Sequence, residues 1–149
     1  MSYLLDYWAK LVPELVVTDI DRSLFFWCDL IGFAISYDRP KEKFAYLNLN
    51  GAQIMLEQYN EADREWETGK LEPPFGRGIN FQIEVSDINL VIERLYHSSW
   101  PLFIPAEERW YTADQVEFGK RQFLVQDPDG YLLRITENLG ERLISQVKE

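Results

Sequence analysis

The chain has little cysteine, little histidine and no long apolar run. Among its 149 residues are one cysteine and one histidine. Cys28 cannot form an internal disulfide, and it is either a small core residue or a nucleophile. His97 falls half a turn out of phase with the apolar face of its predicted helix, so we expect it to point to solvent. No constellation of histidine, acid and nucleophile is visible in the sequence.

Positive charge is also scarce. The chain has 15 Lys and Arg residues against 25 Asp and Glu residues, which gives a formal net charge of -10. This balance argues against nucleic acid and anionic membrane surfaces as partners, and it favours a cationic small molecule. No apolar run approaches the roughly 20 residues that cross a bilayer. The opening MSYLLDYWAK lacks the basic start and apolar centre of a signal peptide, so a cytoplasmic location is predicted.

What the chain does contain is a weak internal repeat. VTDID at 17–21 matches VSDIN at 85–89, an offset of 85 − 17 = 68 residues. FAYLNLNGAQIML at 44–56 matches FLVQDPDGYLLRI at 123–135, an offset of 123 − 44 = 79 residues. The second copy therefore has a longer middle than the first.

Helical and turn signals have the same order in both copies. The apolar residues of the first helix recur at helical spacing, and those of the second lie behind Asp87: Ile20, Leu24, Trp27 and Ile31, then Ile88, Val91 and Leu95. Asp19 or Asp21 is the predicted N-cap of the first helix, and Gly32 is its predicted left-handed end. NLNG and DPDG have turn chemistry between apolar runs. Each copy therefore reads as strand, helix and three strands.

These signals predict an α+β fold of two paired βαβββ modules, whose curved mixed sheets enclose a shared cleft. The predicted single domain has module one at about 11–58, a linker at about 59–78, module two at about 79–137 and a C-terminal tail at 138–149. The linker is acidic and rich in Pro and Gly, which suits an exposed connection. Within it, Trp66 is either a local anchor or part of a ligand wall.

VTDID, FWCDLIGF and the hairpin RQFLVQDPDGYLLRITE resemble segments of the vicinal oxygen chelate superfamily, over roughly residues 11–137. That superfamily includes glyoxalase, extradiol dioxygenases, fosfomycin resistance enzymes and bleomycin resistance proteins. The resemblance implies the paired-module fold. It leaves function open, because the superfamily contains both metalloenzymes and metal-free binding proteins.

The metalloenzymes of this superfamily place His, Gln or Glu ligands on the first and last strand of each module. The matching positions here are Val12, Met55, Asn80 and Arg134. Valine has no lone pair, methionine is a soft ligand, asparagine offers a weak carbonyl and arginine is a permanent cation. We therefore expect no metal and no cofactor. The alternative is a metal-dependent lyase or dioxygenase with ligands relocated to Glu14, Glu57, Gln82 and Glu84.

Arg134 needs carboxylate partners if it is buried, and Glu14, Glu57 and Glu84 are the candidates. In one interpretation these residues form a structural ion-pair cluster. In the other they orient a ligand, with the carboxylates receiving its cationic groups and Arg134 its carbonyls.

LVPELVVTD, FWCDLIGF and the final hairpin resemble bleomycin resistance proteins most. This resemblance implies an acidic homodimer without catalysis, which holds a cationic aromatic antibiotic in clefts between subunits. The aromatic positions of that family match Tyr37 and Phe44, although Phe44 is also a core candidate. The third falls near Phe118, with Trp110 or Tyr111 as substitutes, in a long loop predicted over 107–123.

The function expected from the sequence is therefore sequestration of a bleomycin-like antibiotic by a metal-free homodimer. A relocated metal site would make the chain an enzyme instead. A third alternative is a protein that binds an unidentified metabolite.

Overall fold

The computed structural model describes residues 5–63 and 66–144. They cluster into two compact units. The first unit runs to Arg77 and also includes Asp127–Tyr131. The second unit consists of Gly78–Gln126 and the chain from Leu132 onward.

The first unit contains one four-stranded sheet and one helical segment. Its elements are β1 (Glu14–Val17), α1 (Ile20–Leu24), a π-helical segment (Phe25–Ile31), β2 (Ala34–Arg39), a 3-10 turn (Pro40–Glu42), β3 (Phe44–Leu49) and β4 (Ala52–Gln58). The strand order is β1-β4-β3-β2, with β1 and β4 parallel and the other pairs antiparallel.

The second unit repeats this plan with longer strands. Its elements are β5 (Asn80–Glu84), α2 (Ile88–His97), β6 (Ile104–Ala113), β7 (Val116–Gln126) and β8 (Leu132–Leu143). The order β5-β8-β7-β6 is the order of the first sheet, again with its first and last strands parallel. The predicted α+β class and the two βαβββ modules are confirmed. No helix in the described part of the chain is long and apolar enough to cross a bilayer.

The helix ends follow the sequence signals closely. The Asp19 carboxylate accepts hydrogen bonds from the backbone N–H groups of Asp21 and Arg22, at 3.0 and 3.2 Å, so Asp19 is the N-cap. Gly32 ends the π-helical segment with φ of 117°, which a residue with a Cβ rarely adopts. The Asp87 carboxylate caps α2 by accepting from the N–H of Asn89 at 2.9 Å, and His97 is exposed as predicted.

Each unit buries the alternate residues of its strands against its own helix. In the first unit these core residues include Leu15, Val17, Ala45, Leu47 and Leu56, with Phe26, Trp27 and Ile31 from the helical segment. In the second they are Ile83, Phe123, Val125, Leu133 and Ile135, with Ile88, Val91 and Leu95 from α2. Because strand side chains alternate, the opposite face of each sheet remains for other roles.

The turn between β7 and β8 belongs to the first unit, where two aspartates anchor it. Asp127 accepts a hydrogen bond from Trp27 Nε1 at 3.1 Å and from the backbone N–H groups of Asp129 and Tyr131. Asp129 accepts two from Thr18, at 3.1 Å from its N–H and 2.6 Å from its hydroxyl. The DPDG segment is therefore a tertiary anchor as well as a turn.

The segment predicted as an exposed linker is partly packed. Phe75 is only 7% exposed, its ring lies 5.9 Å from that of Tyr131, and its N–H donates to the carbonyl of Asp129. A Cβ on Gly130 would lie 2.5 Å from Pro74, so this approach requires glycine. The expectation of a wholly exposed connection is therefore wrong at Phe75.

Two further expectations for the second copy are corrected. Residues 107–123 are strands β6 and β7, which pair antiparallel around a short turn at Asp114 and Gln115, and are therefore not a loop. The predicted tail from 138 begins inside β8, which continues to Leu143. Beyond the part of β8 that pairs with β5, strands β6, β7 and β8 continue as a three-stranded extension. We call this extension the arm; it consists of residues 107–113, 116–121 and 137–143.

Asp127 gives the fold a pH dependence. Burial raises the pKa of its carboxyl to about 6, although its three hydrogen-bond donors pull the pKa down. The folded state therefore binds a proton at Asp127 more tightly than the unfolded chain does. As pH falls from 6 toward 4, the carboxylate becomes protonated in the folded state, and the free-energy cost of burying its charge disappears. The contribution of Asp127 to the free energy of unfolding should rise over this range by at most about 3 kcal/mol.

Urea unfolding of the wild type and of Asp127→Asn at several pH values between 4 and 7 measures this contribution, since the variant cannot titrate at position 127. The wild type should gain stability relative to the variant as pH falls. A difference that does not change with pH would contradict the raised pKa.

Candidate functional site

The positions that match metal ligands in the resembled superfamily do not provide a donor set for a divalent metal. Val12 precedes β1, and Met55 of β4 pairs with Glu14 of β1. In the second unit, Arg134 of β8 pairs with Gln82 of β5. The two sets keep the repeat offsets, since 82 − 14 = 68 and 134 − 55 = 79. An aliphatic, a thioether, an amide and a guanidinium do not fit such a metal.

The relocated ligands are divided between the two units, with Glu14 and Glu57 in the first and Gln82 and Glu84 in the second. Across residues 5–63 and 66–144, no group of three or more His, Cys, Asp or Glu side chains is placed to hold a metal ion. Cys28 is partly buried, and burial together with Asp29 raises the pKa of its thiol to about 11. A protonated, partly buried thiol favours the core role of Cys28 over a nucleophilic one.

The first unit contains a cavity of about 320 Å³ on the sheet face opposite its helix. Glu14, Val16 and Glu57 share this face, because Val16 pairs with Glu57 in the parallel β1–β4 ladder and Glu14 lies two residues before Val16. The chain that leaves β4 forms the remaining wall. The residues that line it are Glu14, Val16, Glu57, Gln58, Tyr59, Asn60, Asp63, Trp66 and Glu67. We call this cavity the acidic pocket.

The acidic pocket concentrates negative charge. The described residues that line it include four carboxylates, from Glu14, Glu57, Asp63 and Glu67. They include no Lys and no Arg. Burial raises the pKa of the Glu14 carboxyl, the nearby Glu57 raises it further, and Arg39 partly offsets both. A carboxyl in that environment gains stability as an anion when a cation approaches.

Aromatic surface lies beside these carboxylates. Trp66 is 81% exposed, and Tyr59 contributes a second ring to the same lining. An indole so exposed does not anchor its loop, so the anchor interpretation is wrong and Trp66 is a wall of the acidic pocket. Carboxylates next to an open indole suit an organic cation with a flat apolar part.

Sequence analysis found Glu14 and Glu57 but missed Tyr59, Asn60, Asp63 and Glu67. Their signal was the acidic and aromatic stretch directly after β4, which we interpreted as a linker.

Tyr37 and Phe44 lie on the same face of the first sheet but in a different environment. Tyr37 stacks on Tyr46 at 5.2 Å between ring centroids, and Trp8 packs edge-on against Tyr46 at 5.1 Å. Phe44 is 3% exposed beneath the guanidinium of Arg39, at 4.0 Å. Phe44 is therefore core, as its alternative interpretation predicted, and Trp8 is an aromatic contact that the sequence analysis missed.

Trp110, predicted to touch a ligand, is half-buried and packs within the arm. The guanidinium of Arg142 lies 3.8 Å from its ring centroid, and a Cβ on Gly119 would approach the ring to 2.6 Å. Its Nε1 donates to Glu108 at 2.9 Å. These contacts give Trp110 a structural role.

Tyr111 and Phe118 pair across β6 and β7, so their side chains share one face of the arm. Trp110 is adjacent to Tyr111 in the strand and points to the opposite face. A single planar group therefore cannot stack on Trp110 and Phe118 of one chain together.

Of the three candidate partners of Arg134, Glu84 forms no ion pair with it among the described residues. Glu84 lies 3.7 Å from Lys120 Nζ instead. Arg134 shares the sheet face of Gln82 and Leu124, and its Nε is buried without a hydrogen-bond partner among the described residues. Glu14 and Glu57 belong to the first unit, and their pairing with Arg134 stays a prediction.

Comparison with known proteins agrees with this architecture. The family model of the glyoxalase/bleomycin resistance protein/dioxygenase superfamily matches residues 9–135. Bleomycin resistance proteins from Geobacillus stearothermophilus and Staphylococcus aureus are 27% identical over 141 residues, which cover 86% of this chain and 96% of theirs.

Solved structures with a similar fold include TioX from Micromonospora, with a TM-score of 0.64 and 23% identity over 88% of this chain and 99% of that one. Another is a protein of unknown function from Agrobacterium tumefaciens, with a TM-score of 0.66 and 24% identity over 91% and 98%. With the family match over most of its length and the repeated βαβββ sheets, the chain belongs to the glyoxalase/bleomycin resistance protein/dioxygenase superfamily.

Proposed function

We propose that this protein binds a bleomycin-like, cationic and aromatic antibiotic without altering it, and thereby sequesters it in the cytoplasm. The observation that carries the proposal is the acidic pocket, where four carboxylates surround an open indole and a tyrosine. The name of the curated relatives, bleomycin resistance protein, supports the same ligand class.

The chemistry of the acidic pocket matches that class in two ways. An organic cation gains Coulomb energy from Glu14, Glu57, Asp63 and Glu67, and a flat ring gains apolar contact with Trp66. The overall charge of -10 also attracts a cation over a longer range. Binding requires no metal, which agrees with the unsuitable donors at Met55 and Arg134.

Homodimerisation is part of the proposal, and the exposed apolar face of the arm supports it. Tyr111, Phe118 and Leu143 are 38%, 37% and 48% exposed. Phe118 pairs with Tyr111, and Leu143 pairs with Val116 two residues before Phe118, so the three share one face. A strip of this kind on a sheet extension suits contact with a second copy of the chain.

The first prediction concerns stacking. Trp66→Ala should weaken binding of metal-free bleomycin by about 1 to 3 kcal/mol, because the ring contact is lost. Isothermal titration calorimetry on chelator-treated protein measures the affinity. Tyr96→Ala is the matched control, since Tyr96 is 78% exposed on α2 and does not line the acidic pocket. Equal affinities of the two variants would remove Trp66 from the binding site.

The second prediction concerns charge. Glu57→Gln should weaken binding by about 1 kcal/mol, the upper range for a solvent-accessible ion pair, and added salt should narrow the difference from wild type. Glu93→Gln, an exposed residue of α2, removes the same net charge outside the acidic pocket. An equal effect of both changes would mean that only the net charge matters and would contradict direct contact at Glu57.

The third prediction concerns assembly. Wild-type protein should sediment as a dimer at micromolar concentration, and Phe118→Ser combined with Leu143→Ser should dissociate it. Leu90→Ser serves as the control, because Leu90 is an equally exposed apolar residue of α2. A wild-type monomer, or a double variant that remains a dimer, would exclude the arm as the interface.

A further inference from the structure

A second cavity of the first unit lies beside the acidic pocket. Its volume is about 710 Å³, whereas that of the acidic pocket is about 320 Å³. Tyr59 and Glu67 line both cavities, so these two residues form their common boundary. We call the second cavity the side cavity. The other described residues that line it are Thr18, Gly69, Lys70, Leu71 and Phe75.

Hydrogen bonds within the first unit hold the walls of the side cavity in place. The Tyr59 N–H donates to the carbonyl of Val17 at 2.7 Å, which fixes the start of the segment after β4. Thr18 donates to the Asp129 carboxylate from both its N–H and its hydroxyl, and the Phe75 N–H donates to the Asp129 carbonyl at 2.8 Å. These donors are used within the protein, so the walls that they form offer little hydrogen bonding to a polar ligand.

The two cavities differ in charge. Four carboxylates line the acidic pocket, whereas the side cavity has one carboxylate, from Glu67, and one ammonium group, from Lys70. The Lys70 ammonium lies 3.9 Å from the carboxylate of Glu72, and its side chain is 85% exposed. A second cationic group would therefore gain little in the side cavity. An anion would have to compete with Glu72 and with water for Lys70.

Apolar surface makes up much of the remaining wall. Leu71 is half-buried, and Phe75 is buried with its ring against that of Tyr131. A Cβ on Gly69 would meet no atom within 4 Å, so the space beside this backbone is open. An apolar group that leaves water for such a wall gains free energy in proportion to the area that it buries.

We propose that the side cavity holds an uncharged, apolar extension of the ligand whose flat cationic part lies in the acidic pocket. The extension passes Tyr59 and Glu67 and packs against Leu71. The volume of the acidic pocket is at the small end of the roughly 300 to 1,000 Å³ that drug-sized ligands occupy, so a larger ligand needs the additional space. This inference rests on the cation binding proposed for the acidic pocket, and it specifies the ligand class as an aromatic cation with a neutral apolar tail.

The test is an NMR titration of the full chain with two probes that share one cationic head. Benzamidine is a flat aromatic cation, and 4-pentyloxybenzamidine adds an apolar tail. The reporters are the indole N–H cross-peak of Trp66 and the methyl cross-peaks of Leu71, assigned as those that disappear in Trp66→Phe and Leu71→Ile. Both probes should shift the Trp66 cross-peak, but only the tailed probe should shift the Leu71 methyl cross-peaks. The tailed probe should bind at least about tenfold more tightly, a gain that burial of about two methylene groups supplies.

A third probe, 4-(4-carboxybutoxy)benzamidine, has a tail of similar length that ends in a carboxylate. Weaker binding of this probe than of 4-pentyloxybenzamidine supports an uncharged extension. Tighter binding would overturn it in favour of an anionic group at Lys70. If the pentyl tail neither shifts the Leu71 methyl cross-peaks nor raises the affinity, the extension is overturned while cation binding in the acidic pocket stands. If benzamidine leaves Trp66 unshifted, cation binding in the acidic pocket is overturned, and this inference with it.

A variant pair gives an independent measurement. Leu71→Ala should weaken binding of 4-pentyloxybenzamidine more than binding of benzamidine, because the removed side chain contacts only the tail. Leu90→Ala, at an exposed apolar residue of α2, is the matched control and should change neither affinity. Equal losses for the two probes in Leu71→Ala would overturn the contact between Leu71 and the tail. The wild-type titrations decide the proposal even if Leu71→Ala folds poorly.

Discussion

Parallel pairing between the first and last strand of each unit is the constraint on which the site geometry depends. The β1–β4 ladder places Glu14, Val16 and Glu57 on one face, and the β5–β8 ladder places Gln82 and Arg134 on the corresponding face. Because side chains alternate along a strand, a slip of one residue would exchange these groups with core residues such as Leu15 and Leu133. The same register that fills the core therefore selects the residues that face a ligand.

Buried polar groups in this protein follow two different patterns. Asp127 is buried, and its carboxylate is surrounded by donors from Trp27, Asp129 and Tyr131, so it holds a turn in place. Arg134 Nε and Gln122 Oε1 are buried and have no hydrogen-bond partner among the described residues. A fully satisfied buried polar group specifies structure, whereas an unsatisfied one weakens the fold by the hydrogen bonds with water that it has lost.

The sequence predicted the fold well because the fold rests on local signals. Helical spacing, Asp19 and Asp87 at the helix starts, Gly32 at a helix end and the repeat offsets each depend on neighbouring residues. The acidic pocket was predicted only in part. Glu14 and Glu57 followed from strand alternation, but Trp66 and Asp63 come from an irregular segment whose path depends on tertiary contacts. Periodicity contains no information about such a path.

Two predictions for the second copy, the loop over 107–123 and Glu84 as a partner of Arg134, failed for a related reason. The stretch 107–113 lacks clear alternation because both faces of β6 are largely exposed, so no apolar stripe marked this strand. The pairing of Glu84 with Lys120 rather than with Arg134 depends on how long side chains reach across strands. Such reach is set by side-chain conformations that a strand pattern does not specify.

Trp8 has a consequence for where the first unit begins. Its ring covers Tyr46, and the neighbouring backbone is tied to Gln53, which accepts from the N–H of Ala9 and donates to the carbonyl of Tyr7. The family match starts at residue 9, one position after this indole. A polypeptide cut at the family boundary would therefore uncover the ring of Tyr46 and remove one of the two acceptors of the Gln53 amide, leaving Asn48 Oδ1 as the other. The folding boundary of this unit lies upstream of the boundary that sequence relatedness marks.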